Sequence, residues 1–207
     1  MDENGVIPNG PPPSADEQSP DAGTRMDLYD WLQCVVTAVV FGILIFVFIG
    51  RTIGVDGTSM LQTLHDKDRV IMWSLFYKPD RGDIVIIKTK TYDDKPLVKR
   101  VIAVGGDTVD IDFELGEVTV NGVVLDEDYI NEPTHNELNF RGPVTVPEGH
   151  IFVLGDNRNK SLDSRSDSIG FVDVRNVLGK VLLVIMPGKN EFGLRDWSRV
   201  GSVYGDG

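Results

Sequence analysis

Pro96-Leu-Val-Lys-Arg-Val-Ile-Ala-Val104 reads as a β-strand, Val98–Val104 with its lead-in, interrupted by two adjacent cations. Side chains alternate across a strand, so Leu97, Lys99 and Val101 point one way and Val98, Arg100 and Ile102 the other. One of the two cations must therefore share a face with apolar neighbours. On one reading an amine held there loses solvation and becomes a base; on the other the pair snorkels at a sheet edge. Working outward, Gly105-Gly106-Asp107 is a turn leading to a strand at Thr108–Ile111. Glu117–Val120 and Val123–Leu125 are joined by Asn121-Gly122, a strong hairpin signal. On the other side, Arg69–Tyr77 and Asp83–Lys88 are β-branched and apolar runs separated by Lys-Pro-Asp-Arg-Gly at 78–82. Further strands are predicted at Pro143–Val146, His150–Leu154 and Val177–Ile185. The links are too short for helical crossovers, so residues 51–207 are predicted to form a single, mostly antiparallel β-rich domain.

Before that domain the composition changes twice. Residues 1–26 contain Pro-Pro-Pro at 11–13 and almost no large apolar side chain, the signature of a disordered tail. The first 30 residues carry seven acidic groups and one arginine, half of the net charge of −12. Trp31–Ile49 then runs for 19 residues without a charge. As a helix it would cover roughly 28 Å, close to the roughly 30 Å of a bilayer core. It ends Phe-Ile-Gly-Arg-Thr-Ile, with no small-residue cleavage site, so residues 27–50 are read as an uncleaved transmembrane anchor. Only Arg25 precedes the span, whereas Arg51, Lys67 and Arg69 follow it, and the charge rule alone would place the C-terminal part inside. The acidic balance argues against nucleic-acid binding. A lone cysteine, Cys34, excludes an internal disulfide and cysteine clusters for zinc.

Three stretches carry possible chemistry. The histidines, His65, His135 and His150, sit in polar or turn contexts with no Gly-x-Ser-x-Gly elbow and no metal-ligand spacing. Ser59 lies in Val55-Asp-Gly-Thr-Ser-Met-Leu-Gln-Thr-Leu64, where small residues at 57–59 let a backbone N–H approach a reacting carbonyl. Gly-Thr-Ser is also an ordinary turn. Met60 and Leu64 are positioned to line an apolar pocket beside the serine. The third stretch is Gly155-Asp-Asn-Arg-Asn-Lys-Ser-Leu-Asp-Ser-Arg165, a loop dense in hydrogen-bonding groups after an apolar strand. In it Ser161 is placed to orient a lysine amine, and Asp163 and Arg165 to pair. A calcium loop competes as a reading, without the EF-hand order or closing glutamate.

Taken in order, an apolar span, Ser-Met with Thr-Leu, a strand Lys-Arg, Gly-Gly-Asp and Gly-Asp-Asn-Arg-x-x-Ser-x-Asp-Ser-Arg resemble the bacterial type I signal peptidases, closest to short single-anchor members. The resemblance runs from the span to about Met186. It implies an N-terminal transmembrane helix followed by one antiparallel β-rich catalytic domain of the signal-peptidase type. It implies Ser59 as acylated nucleophile, Lys99 as general base, and Ser161 as the serine bonded to the lysine amine. Asp163 and Arg165 match the bracing ion pair, and Gly155 the tight backbone beside it. Met60, Leu64, Leu97 and Val98 match pocket positions. The implied partners are secretory precursors carrying signal peptides and the lipid bilayer; no metal, cofactor or nucleic acid is implied. The implied topology, a cytoplasmic tail with residues 51–207 outside, is preferred here to the charge rule. Two positions depart from the pattern. Gln62 replaces a proline that would fix the turn. Gly57 replaces a hydroxyl that would donate to the oxyanion, so the Ser59 N–H needs another companion, Thr58 or water. Rival readings are a self-cleaving Ser-Lys protease of the repressor type and an inactive, membrane-tethered binding module.

Overall fold

A computed structural model of the chain describes residues 21–89, 95–190 and 192–204. The chain divides into two compact units, Met1–Ile43 and Leu44–Gly207.

Helix α1 runs Asp21–Ile49. Its window Asp27–Leu44 is long and apolar enough to cross a membrane, and none of it is buried against protein. Leu32, Val36, Phe41 and Ile43 are all exposed. The expected boundaries shift at both ends. The last six residues of the stretch read as a disordered tail, 21–26, are helical, and Gly50 belongs to a strand. No proline follows Pro20 until Pro79, and an existing helix extends by one hydrogen bond per residue without a new nucleus. The rest of the expected tail, 1–20, lies outside the described residues.

The second unit is built of antiparallel strands, as the short links predicted. Its strands are β1 (Gly50–Gly54), β2 (Arg69–Trp73), β3 (Ile84–Lys88), β4 (Pro96–Val104), β5 (Thr108–Asp112), β6 (Glu117–Val120), β7 (Val123–Val124), β8 (Val144–Thr145), β9 (His150–Leu154), β10 (Val172–Asp173), β11 (Val177–Met186) and β12 (Gly201–Ser202). The larger sheet has the order β1-β2-β11-β3-β4-β9-β10, with β12 added on β11; the smaller is β7-β6-β5-β8. Asn121 and Gly122 both take positive φ, 53° and 79°, the turn geometry that matches strand twist in a two-residue hairpin. The predicted β2 ends four residues early, at Trp73, and Phe76 adopts a φ of 51° that no strand allows.

Strand β4 lies inside the larger sheet, between β3 and β9, and this decides the fate of its cations. Ile84 pairs with Arg100 and Val85 with Lys99. Both faces of β4 are covered. Val98 belongs to a core with Met60, Leu64 and Ile86, while Leu97 and Val101 pack with Val85, Ile87 and Val153. The sequence put one cation on a face with apolar neighbours and left open that the pair snorkels at a sheet edge; the structure encloses both, Lys99 at 2% exposure and Arg100 at 5%.

Candidate active site

The two buried cations are accommodated by different chemistry. Arginine cannot shed its proton in a protein, so a buried guanidinium must be paired. Arg100 Nε and Nη2 donate to Asp156 Oδ1 and Oδ2, each at 2.8 Å, and Asp156 is fully buried. The same guanidinium lies 3.8 Å from the centroid of the Tyr129 ring and donates to the Gly82 carbonyl. Burial opposes its charge, but the bonds from Asp156 win and hold its pKa above the ordinary value.

Lys99 has no such carboxylate. Its Nζ lies 2.6 Å from Ser59 Oγ and 3.1 Å from the Val98 carbonyl oxygen. Burial pushes the amine down to about 8 from 10.5, against the pull of Asp163 and Asp156, while Arg165 pushes the same way as burial. A lysine in this state has a substantial neutral fraction near pH 8, and its lone pair faces a hydroxyl. No described histidine is bonded to Ser59: His135 Nδ1 meets the Phe113 carbonyl and His150 Nδ1 that of Glu148.

Ser59 is presented by a short turn. The Leu61 N–H donates to the Thr58 carbonyl and the Leu64 N–H to that of Met60, which brings Met60 and Leu64 to one side. Expected to line a substrate pocket, these two residues are instead core anchors of the turn, at 1% and 0% exposure. An apolar side chain on a tight turn over a sheet gains most by entering the core beneath it. Val98 is also in that core. Of the four expected pocket residues, Leu97 alone lines the cleft beside the serine, a space of about 190 Å³. Its other walls are Asp56, Gly57, Thr58, Lys160 and Leu162, around Ser59 and Lys99. Gly57 takes a φ of 96°, in the region that favours glycine, and its N–H donates to Asp66 Oδ1 at 2.7 Å.

The loop 155–165 closes over this turn. Asp163 and Arg165 form a fully buried bidentate pair, with Nε to Oδ1 and Nη2 to Oδ2 both 2.9 Å. Asp163 Oδ2 also accepts from the Gly155 N–H at 3.1 Å, and Arg165 Nη1 donates to the Asn136 carbonyl at 2.7 Å. Gly155 is where the chains approach most closely. A Cβ there would lie 2.2 Å from Ser161 Oγ and 2.5 Å from the Ser59 carbonyl oxygen, so only glycine lets the loop seat against the serine turn. Ser161 is thus in the site, at 4% exposure, but its Oγ has no hydrogen-bond partner, and the expected bond to the Lys99 amine is not made. The rotamer carries the hydroxyl against Gly155 instead.

Sequence reasoning passed over several residues that hold the site. Asp156 binds Arg100 and accepts from Thr63 Oγ1 at 2.6 Å. Asn157 donates to the carbonyls of Thr58 and Ser59. Arg158, fully buried, donates to Glu127, to Thr134 Oγ1 and to the Gly155 carbonyl. Their signal was the run Gly-Asp-Asn-Arg itself: four consecutive turn-forming or polar residues directly after an apolar strand, of which Asp156, Asn157 and Arg158 each bond to residues outside the loop.

The sequence that builds this site matches a known family. The family model described as signal peptidase, peptidase S26, matches residues 28–186. The chain belongs to this family and is a serine endopeptidase. Within the family it stands with the signal peptidases I. Signal peptidase I of Bacillus licheniformis is 37% identical over 175 residues, covering 79% of this chain and 91% of that protein. Signal peptidase I S of Bacillus subtilis is 35% identical over 181 residues, 82% of this chain and 95% of that one. A crystal structure of a signal peptidase I from Enterococcus faecalis, 35% identical, matches with a TM-score of 0.42 over 50% of this chain and 97% of that chain.

Proposed function

We propose that the chain is a membrane-anchored endopeptidase that removes N-terminal signal peptides from secreted precursors after small residues, Ala-x-Ala-like, through an acyl-enzyme on Ser59 with Lys99 as general base. The observation that carries this reading is the 2.6 Å approach of Lys99 Nζ to Ser59 Oγ in a site where the lysine is 2% exposed. The neutral amine takes the Ser59 proton as Oγ attacks the scissile carbonyl, and the protonated amine then gives that proton to the leaving nitrogen. A water deprotonated by Lys99 hydrolyses the ester and restores the serine. The Asp163–Arg165 pair and Gly155 hold the turn and the amine in register. The small cleft beside Ser59 favours alanine-sized side chains by excluding larger ones.

The exposed apolar face of α1 supports anchoring, because leucine, valine and phenylalanine side chains left uncovered by protein are at home in hydrocarbon. Tethering enzyme and leader in one bilayer raises their effective concentration. Signal peptides are cut on the far side of the membrane, so the β-rich unit is placed outside and the N-terminus in the cytoplasm. Protease added to intact cells is then expected to digest residues 51–207, and protection of that unit would reverse the topology.

With the purified full chain in detergent or liposomes, Ser59→Ala and Lys99→Ala should each abolish precursor cleavage, while Lys78→Ala, at an exposed lysine outside the cleft, should retain it. Cleavage that persists in Lys99→Ala and disappears in a histidine variant would make this a Ser-His enzyme instead.

A further inference from the structure

Acyl transfer needs a donor aimed at the oxygen that becomes negative, and in this chain the 57 position offers little. Gly57 has no side-chain donor, and its N–H is occupied by Asp66. The N–H of Ser59 is therefore the donor on which the reaction depends, and its direction is set by the plane of the Thr58–Ser59 peptide. That peptide is trans, so its carbonyl and its N–H point in opposite directions. The carbonyl half is held from two sides: Asn157 Nδ2 donates to the Thr58 oxygen at 3.0 Å, and the Leu61 N–H reaches the same oxygen within the turn at 3.3 Å. The next carbonyl, that of Ser59, is held by the Asn157 backbone N–H, also at 3.0 Å. Asn157 is 2% exposed, and it reaches these carbonyls from 99 residues along the chain. Among the described residues the Ser59 N–H itself has no protein acceptor.

We infer that Asn157 is a positioning residue for the reaction: by gripping the Thr58 carbonyl with its side-chain amide, it turns the Ser59 N–H toward the oxyanion. This rests on Ser59 being the nucleophile. The grip acts after attack, when charge develops on the substrate oxygen, and does little for the uncharged ground state. The turn lacks the proline that the family pattern has at position 62, so it depends on such external ties to keep its peptide planes fixed.

The test compares the wild-type full chain with Asn157→Ala and Asn157→Leu, the second filling the amide's space without a donor; both keep the backbone bond to Ser59. The expected result is a 10- to 100-fold fall in kcat with KM within about twofold, on the scale of a weakened oxyanion contact. The rising limb of kcat/KM toward its plateau should keep its apparent pKa, because Lys99 is untouched. A peptide aldehyde ending in Ala-x-Ala supplies the readout specific to this role. Ser59 Oγ–H adds across its C=O to give a hemiacetal whose oxygen sits where the oxyanion forms. Its affinity should fall by the same factor as kcat, while the matching peptide alcohol, which cannot react, should bind as before. Wild-type kcat in either folded variant overturns the inference, as does equal weakening of aldehyde and alcohol. If neither variant folds, Asn157 is structural and the inference fails. Failure of the underlying reading looks different: Ser59→Ala would then still cleave precursor.

Discussion

Lys99→Met is expected to lower kcat/KM for precursor by about 10²–10⁴-fold, the scale of a lost general base, and at the same time to make the folded protein more stable at neutral pH. The two effects have one cause. In the folded chain the amine titrates at about 8 instead of 10.5, because burial disfavours its charged form. Below pH 8 the folded state must carry that charge in its enclosed position, which costs about 3 kcal/mol. Between about 8 and 10.5 the unfolded chain still holds the proton that the folded chain has released, so stability rises with pH across that window. Methionine has a similar length and no charge. Urea unfolding at pH 7 should therefore show the variant gaining about 1–3 kcal/mol, with the gain shrinking as the pH approaches 10. In the wild type, kcat/KM should climb through an apparent pKa near 8 and level off above it. A variant that is less stable than wild type at pH 7 and retains cleavage would show that the amine neither bears this cost nor acts as the base.

The neighbouring cation gives the opposite result. Asp156→Ala is expected to destabilise the protein by about 3–5 kcal/mol, because it leaves the Arg100 guanidinium enclosed with its charge uncompensated. The remaining contacts of Arg100, the Gly82 carbonyl, the Thr63 hydroxyl and the Tyr129 ring, do not replace a carboxylate bonded through both oxygens. Thr63 Oγ1 also loses its acceptor, and with it one tie between the serine turn and the 155–165 loop. The double variant Arg100→Met with Asp156→Leu should recover most of the loss, since an apolar pair of similar volume needs no compensation. Denaturant midpoints at constant slope measure both. A shift under about 1 kcal/mol for Asp156→Ala would mean that water reaches the guanidinium and the pair is not sealed.

Much of this was legible in the chain because the signals were local. Glu117–Val120 and His150–Leu154 form strands at their predicted limits, and Asn121-Gly122 turns as its backbone preferences require. Strand β1 was not legible. Gly-Arg-Thr-Ile-Gly has no apolar alternation, and it is a strand because Arg51 through Ile53 pair with Met72 through Val70 on the edge of β2. The two-residue strands β10 and β12 likewise exist only through their partners. At the site, the 2.6 Å approach of Ser59 to Lys99 involves two residues that motif order had already singled out. The enclosure of Arg100 was out of reach, since alternation tells which residues share a face and not how many faces a strand has covered. Asp156 sits in a run whose polar density marks the loop, but that run does not tell its partner, which lies 56 residues away. The placing of Met60 and Leu64 in the core was missed because a turn next to a reactive serine suggests a pocket, and the same apolar side chains serve a core as readily.

The adjacency of the two cations on β4 also bears on how a misfolded copy would behave. A strand that slips by one residue exchanges its faces: slipped one way, the Arg100 guanidinium arrives beside Ser59 and Val101 opposite Asp156; slipped the other way, Val98 arrives beside Ser59 and the Lys99 amine beside Asp156. Such a molecule matches the native one in size and sheet content, yet its serine faces either a guanidinium that never gives up its proton or a valine. The bulge between Val101 and Ala103, where β4 meets β9, locks the strand against that slip. Either slip takes the amine away from the serine, so an alignment error in this one strand yields an inert protein rather than a protease of altered taste.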